Sequence, residues 1–139
     1  MNRKTFNEVV HKVPHLAAEG LLVVNEPRYL TKRRDFVNNA SYLQETIDAV
    51  NFLQNIGKSS RFSQWQRTHC TPQSIQELVE WHVGHPVSPG AIIAAALHLG
   101  FTMGVQDGTK VYFNFLARQI ETEMAQLRTL QQIKKVVGA

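Results

Sequence analysis

Residues 71–115 constrain this chain most: two short helices across a tight turn, followed by a two-stranded hairpin. Thr71-Pro72 opens the first helix, with threonine as N-cap and proline at the first helical position. Its apolar stripe is Ile75, Leu78, Val79 and Val83, with Glu77 and Glu80 directed away, and Gly84 ends it. Ser88-Pro89 repeats the start signal, and that helix runs to Leu99 with Gly100 as its stop. Residues 101–103 and 111–113 are strand-like. Between them, Asp107-Gly108 is a strong hairpin signal, because the turn requires positive φ. Helix–turn–helix–wing is the order of elements in a winged-helix domain.

The flanks extend this core. Thr5-Phe6-Asn7-Glu8 has capping-box spacing and predicts a helix interrupted near Pro14. Leu21-Leu22-Val23-Val24 is a β-favouring run closed by Asn25-Glu26-Pro27, and residues 29–37 return as a second strand with Lys32-Arg33-Arg34 exposed along it. Ser41 and Gln44 give a second capping box, before Leu43, Ile47, Val50, Leu53 and Ile56 at helical spacing and Gly57 as stop. Residues 58–70 read as a polar, basic loop containing Phe62 and Trp65. Asn114 or its neighbour caps a final helix over 116–137, whose apolar residues average 3.5 residues apart, the coiled-coil period. Acids come early in it and lysines late, which suits the helix dipole. It is expected to pair with a second copy through Leu116, Ile120, Met124, Leu127, Leu130 and Ile133. The expected fold is therefore α+β and mainly helical, one domain over 1–139. An N-terminal helix and hairpin occupy 1–40, a winged-helix-like core 41–115, and a long C-terminal helix 116–137.

Composition narrows the chemistry. At 139 residues and 43% hydrophobic, the chain can bury an ordinary core without metal or disulfide, and its one cysteine, Cys70, fits a reducing cytoplasm. No apolar run approaches the ~20 residues of a membrane span. Met1-Asn2-Arg3-Lys4-Thr5 leads into Phe6-Asn7-Glu8, not into a signal-peptide hydrophobic region, so a cytoplasmic protein without a membrane partner is expected. The net charge of +4 lies wholly in residues 1–70, with ten Lys/Arg against six Asp/Glu; residues 71–139 carry five of each.

The second helix of the motif would enter the major groove in a DNA-reading winged helix. Here, from Gly90 to Leu99, it carries no cation and no amide side chain, and its face of Ala91, Ala94 and Ala95 suits close approach of another backbone. It reads as a buried strut. Phosphate contacts are better supplied by Arg28, Lys32, Arg33 and Arg34, then Lys58, Arg61 and Arg67, with Trp65 beside them for stacking and Lys110 as the one wing cation.

Other chemistry finds less support. Gly57-Lys58-Ser59 lacks the earlier P-loop glycine, since position 52 is Phe52, and it follows a helix rather than a strand. His69, Cys70, His82 and His85 match no familiar zinc spacing, and Pro14 separates His11 from His15. Cys70 beside His69 is adjacency in sequence, not a catalytic geometry. No cofactor, metal or catalytic residue is assigned.

The stretch Ser74-Ile75-Gln76-Glu77-Leu78-Val79-Glu80, then Gly84, then residues 87–101 (VSPGAIIAAALHLGF), closing on Tyr112-Phe113-Asn114, resembles small proteins encoded on proteobacterial phages, plasmids and integrative elements, with their "VSNGAFIAAALHLGF"-like helix and terminal "YFN". The match covers about 45 residues and departs at Pro89, where the family has asparagine. The resemblance implies a mobile-element origin and carries over no catalytic residue. The resulting expectation is a non-catalytic accessory protein that binds DNA or RNA. The alternative is a protein-interaction module that inhibits or adapts a host protein, such as a defence or replication component.

Overall fold

Five polar residues start five of the helices by accepting a backbone N–H with their own side chains: Asn2, Asn39, Ser63, Thr71 and Ser88. The computed structural model describes residues 1–137. In it the chain runs α1 (Arg3–His11), β1 (Leu16–Ala17), β2 (Gly20–Leu21), α2 (Tyr29–Asn38), α3 (Ala40–Leu53), α4 (Gln64–His69), α5 (Pro72–Val83), α6 (Pro89–His98), β3 (Met103–Gln106), β4 (Lys110–Phe113) and α7 (Ala117–Val137). The fold is α+β and mainly helical, with two separate two-stranded antiparallel sheets, β1–β2 and β3–β4, and a long C-terminal helix.

The expected helix–turn–helix–hairpin order is present as α5, α6 and β3–β4. Thr71 caps α5 with Pro72 behind it, Gly84 ends α5 in the left-handed region at φ +85°, and Ser88 caps α6. The hairpin turns at Asp107 and Gly108, both at positive φ (56° and 80°), and Thr109 completes a three-residue loop between Gln106 and Lys110. Register runs from Met103 opposite Phe113 to Gln106 opposite Lys110.

Several local expectations are corrected. The first helix is capped three residues earlier than expected, by Asn2 in place of Thr5, with Thr5 as its capping-box partner. Residues 29–37 form helix α2, not a strand: Phe36 is buried against the Phe6 ring (5.5 Å between centroids), an anchor no local pattern reveals. The strand over residues 21–24 reduces to Gly20–Leu21, paired with Leu16–Ala17. The cap of α3 is Asn39 in place of Ser41, and α3 ends at Leu53, before Gly57. The expected loop 58–70 contains α4, whose Ser63 and Gln66 form a full capping box. Asn114 does not cap α7. Its side chain instead accepts from the Thr102 N–H (2.7 Å) and donates to the Ser59 carbonyl (2.9 Å), tying the end of β4 to two other segments.

α6 lies at the centre and touches α1, α3, α5 and β2; every residue from Gly90 to Ala96 is buried. Its small side chains set the distance to its neighbours. The Gly90 N–H donates to the Ala18 carbonyl at 2.8 Å, and a Cβ on Gly90 would sit 2.0 Å from the Ala17 carbonyl oxygen. Glycine is therefore required there by packing, and the β1–β2 hairpin is pinned to the start of α6. Gly90→Ala is expected to lower stability by about 1–3 kcal/mol or more, since the clash is with backbone and not with a movable side chain. A urea-unfolding midpoint unchanged from the parent protein would refute that packing.

Three carboxylates hold the turn between α5 and α6. Glu80 accepts from the Val87 N–H (2.9 Å), Glu45 accepts from the Ser88 N–H, and Asp48 accepts from His85 Nε2 (2.6 Å). His85 Nδ1 faces the Pro86 carbonyl at 2.9 Å. Both ring nitrogens therefore face acceptors, and only the imidazolium donates from both. The Pro86 carbonyl first, then Asp48, raises the His85 pKa above its usual 6.5. The folded value exceeds the unfolded one, so this contribution is full below the unfolded pKa and fades as pH rises through the folded value. Thermal midpoints should fall modestly on raising the pH above about 6.5, and His85→Gln should flatten that fall.

Candidate nucleic-acid interface

Because α2 is a helix, Lys32, Arg33 and Arg34 point in three directions, about 100° apart around its axis. Arg33 turns inward. One guanidinium nitrogen donates to the carbonyls of Val13 (2.7 Å) and Leu16 (3.0 Å), and the other donates to Val10 (2.6 Å). Val10 lies in the last turn of α1, and Val13 and Leu16 follow it, so Arg33 adds side-chain donors to the helix end, where the Val10 and Val13 carbonyls also accept from the Val13 and Leu16 N–H groups. Burial lowers its pKa somewhat from the ordinary arginine value. Arg33 is thus a structural residue and leaves the candidate phosphate-binding set. Lys32 pairs with Glu19 (2.6 Å) and Glu26 (3.4 Å), and the Glu19 hydrogen bond raises its pKa. Arg28 and Arg34 are exposed.

The second cationic group divides as well. Lys58 lies over the Phe101 ring at 5.3 Å. Arg61 faces a shallow depression that it shares with Arg118, Ser59 and Ser63 beside the start of α7. Trp65 stacks on His69 (4.4 Å between centroids, 11° apart) and packs against the core, so this ring face is already occupied and the expected open stacking platform is absent there. Phe62 meets Tyr112 edge-on at 4.9 Å, and Arg67 lies over the Tyr112 ring at 5.8 Å. The interleaving of aromatics and cations along residues 58–70 serves mainly to dock α4 against β4.

What the fold does assemble is a cleft of about 560 Å³ between the β3–β4 tip, the α4–α5 junction and the β1–β2 hairpin. Arg67 and Lys110, 43 residues apart in sequence, both line it. Thr68, Thr71, Gln73, Gln106 and Thr109 add hydroxyls and amides, and Ile93, Leu21 and Val111 add apolar surface. Glu19 stands at the edge with its charge matched by Lys32. Among the described residues, neither Arg67 nor Lys110 makes an ion pair. Sequence reasoning did not single out Gln73, Gln106 or Thr109. The turn at Asp107-Gly108 was legible, whereas the register that places Gln106 opposite Lys110 and the approach of α4 to the wing had no local signal.

The remaining candidates are separated by the fold. Cys70 is buried in the core, and burial pushes its thiol up to about 12, so it is protonated at neutral pH. His69 bonds the Trp65 carbonyl, His82 bonds Glu123 (3.1 Å) and His85 bonds Asp48. Among the described residues, no three His, Cys, Asp or Glu side chains gather as metal ligands do. No described helix is long and apolar enough to cross a membrane.

The expected pairing face of α7 is also corrected. Ile120 and Leu127 are buried in the chain's own core and Met124 packs against it, while Leu116, Leu130 and Ile133 are exposed. No family model, no curated protein and no solved structure matches the chain.

Removing the Arg33 guanidinium breaks three hydrogen bonds in a part-buried site, where the Val10 and Val13 carbonyls keep only the backbone N–H of Val13 and of Leu16. Arg33→Ala is expected to cost about 1–3 kcal/mol, whereas Arg34→Ala should stay within about 0.5 kcal/mol of the parent. Equal unfolding midpoints for the two variants would contradict the capping role.

Proposed function

We propose that this is a non-catalytic nucleic-acid-binding accessory protein of a mobile genetic element, acting in the cytoplasm and holding backbone phosphates. The observation that carries this reading is the presence of Arg67 and Lys110, neither of them ion-paired among the described residues, on one cleft lined by hydroxyl and amide groups. Arginine and lysine lining one cleft suit phosphate oxygens, and hydroxyls and amides supply the secondary contacts that fix register. Arg61 and Arg118 offer a further phosphate contact beside α7. The burial of α6 argues against base readout by the helix that would enter a groove, so the binding is expected to depend little on sequence. The origin rests on the resemblance of residues 74–114 to products of phages, plasmids and integrative elements.

Fluorescence anisotropy with labelled single-stranded and duplex oligonucleotides tests this. Binding should appear at 50 mM salt and weaken roughly tenfold or more at 200 mM as counterions are released. Arg67→Glu with Lys110→Glu should weaken it at least about tenfold and make the salt slope shallower. No binding to either oligonucleotide at 50 mM salt would overturn the proposal.

A second reading, a module that inhibits or adapts a host protein, draws on the outward apolar end of α7, where Val136 is 81% exposed. Nuclease-resistant recovery of one partner, together with no oligonucleotide binding, would favour it.

A further inference from the structure

The cleft between the wing and the α4–α5 junction has two walls of like composition. On the wing, Gln106 stands opposite Lys110, so their side chains leave one face of the hairpin about 5 Å apart at Cβ. At the junction, Arg67 lies in the last turn of α4 and Gln73 in the first turn of α5. Each wall supplies one cation and one amide. Among the described residues, none of these four side chains makes a hydrogen bond or an ion pair within the chain. The Tyr112 ring, 5.8 Å away, steadies the Arg67 guanidinium. The third side is different. Glu19 there is matched by Lys32, Leu21 is half-buried, and Gly20 carries no side chain. A Cβ on Gly20 would stand 3.7 Å from Gln73 Nε2 and 4.0 Å from Ile93 Cδ1, so the bare glycine leaves the space beside the Gln73 amide open toward the apolar floor.

We propose that this cleft takes one unpaired base of a single-stranded segment, with the flanking phosphates on Arg67 and Lys110 and the base edge on the amides of Gln73 and Gln106. The inference rests on the nucleic-acid reading of the same cleft and narrows it to single strands. A volume of about 560 Å³ lies in the range of sites that enclose a small organic group. A duplex is instead a convex rod whose base edges are recessed in its grooves. The element that would reach into a groove, α6, is buried from Gly90 to Ala96. A duplex therefore offers the cleft only phosphates, and two free cations neutralise about two of them, a small share of what charge alone needs. An unpaired base adds a flat apolar face and a polar edge. Leu21 and the floor at Ile93 suit the face. Each amide carries both donors and an acceptor, so the edge of any base is met and little dependence on sequence is expected. Glu19 repels phosphate from the third side, which leaves that side to the base.

Anisotropy titrations of the full chain at 50 mM salt test it with three labelled probes of one length: oligothymidylate, its duplex with oligoadenylate, and a strand made only of abasic sites. Oligothymidylate should bind at least about tenfold more tightly than either of the others, because the duplex hides its bases and the abasic strand has none. Gln73→Ala with Gln106→Ala, both at exposed positions, should keep the helical circular dichroism and weaken oligothymidylate binding about tenfold. The slope of affinity against salt should stay unchanged in that variant, since no phosphate contact is lost. Oligouridylate in place of oligothymidylate shows which sugar the cleft takes, and a preference for either supports the proposal. Equal affinity for oligothymidylate and the duplex, or for oligothymidylate and the abasic strand, would overturn this inference and leave phosphate binding standing. So would a double alanine variant that binds as the parent does. Failure of every probe to bind would instead overturn the nucleic-acid reading, and this inference with it.

Discussion

The contact between Gly90 and the Ala17–Ala18 backbone sets the geometry of everything around it. A helix buried over seven consecutive residues must meet its neighbours at short range, and the run Gly90-Ala91-Ile92-Ile93-Ala94-Ala95-Ala96 allows this because most of its side chains are no larger than a methyl group. The hydrogen bond from the Gly90 N–H to Ala18 then fixes the β1–β2 hairpin, which has only two residues in each strand and could not hold a position by itself. Once fixed, Glu19, Gly20 and Leu21 become one wall of the cleft, facing Arg67 and Lys110 on the others. The interior packing of α6 and the shape of the exterior cleft are one fact.

The positive surplus of residues 1–70 overstates the charge offered to a partner. Arg33 is consumed in closing α1, Lys32 is matched by two glutamates, and Lys58 sits against an aromatic ring. Carbonyls around the end of α1 each have room for a further donor, and a guanidinium with its several N–H groups meets three of them at once, which a lysine ammonium on the same stem would do with poorer geometry. Composition counts such residues as surface charge, while the fold treats them as hydrogen-bonding parts.

What was legible in the sequence was local. Thr71-Pro72, Ser88-Pro89, Gly84 and Asp107-Gly108 each specify a conformation within four residues, and each is found where expected. Helix α2 was not legible: its aromatic and basic residues also suit an exposed strand, and the choice is made by Phe36 reaching Phe6 and Arg33 reaching α1, both contacts over more than 20 residues of chain. The Ser63–Gln66 capping box was present in the sequence but was passed over in a polar stretch read as a loop. For α7, the mean spacing of 3.5 residues concealed that Ile120 and Leu127 are buried while Leu130 and Ile133 are exposed, because an average along the whole helix carries no record of which side each residue takes. The cleft was invisible for a simpler reason. Its walls come from four separate segments that only tertiary packing unites.

The residues that carry the resemblance to mobile-element proteins have interior tasks. Ala91, Ile92, Ala94, Ala95, Ala96 and Phe101 are core, Phe113 is buried with them, Tyr112 lies across Gly104, and Asn114 bridges two segments through its amide. Of all the residues quoted for that resemblance, only Ile93 reaches the cleft, as part of its apolar lining. Arg67, Gln73, Gln106 and Lys110 lie outside the pattern. A scaffold specified by buried residues leaves its outer surface free to vary with little cost to folding, since exposed substitutions usually change stability by no more than about 0.5 kcal/mol. In this chain the motif therefore specifies how a small-residue helix packs into the middle of the domain. Any binding surface proposed for the chain rests on side chains to which that packing is indifferent.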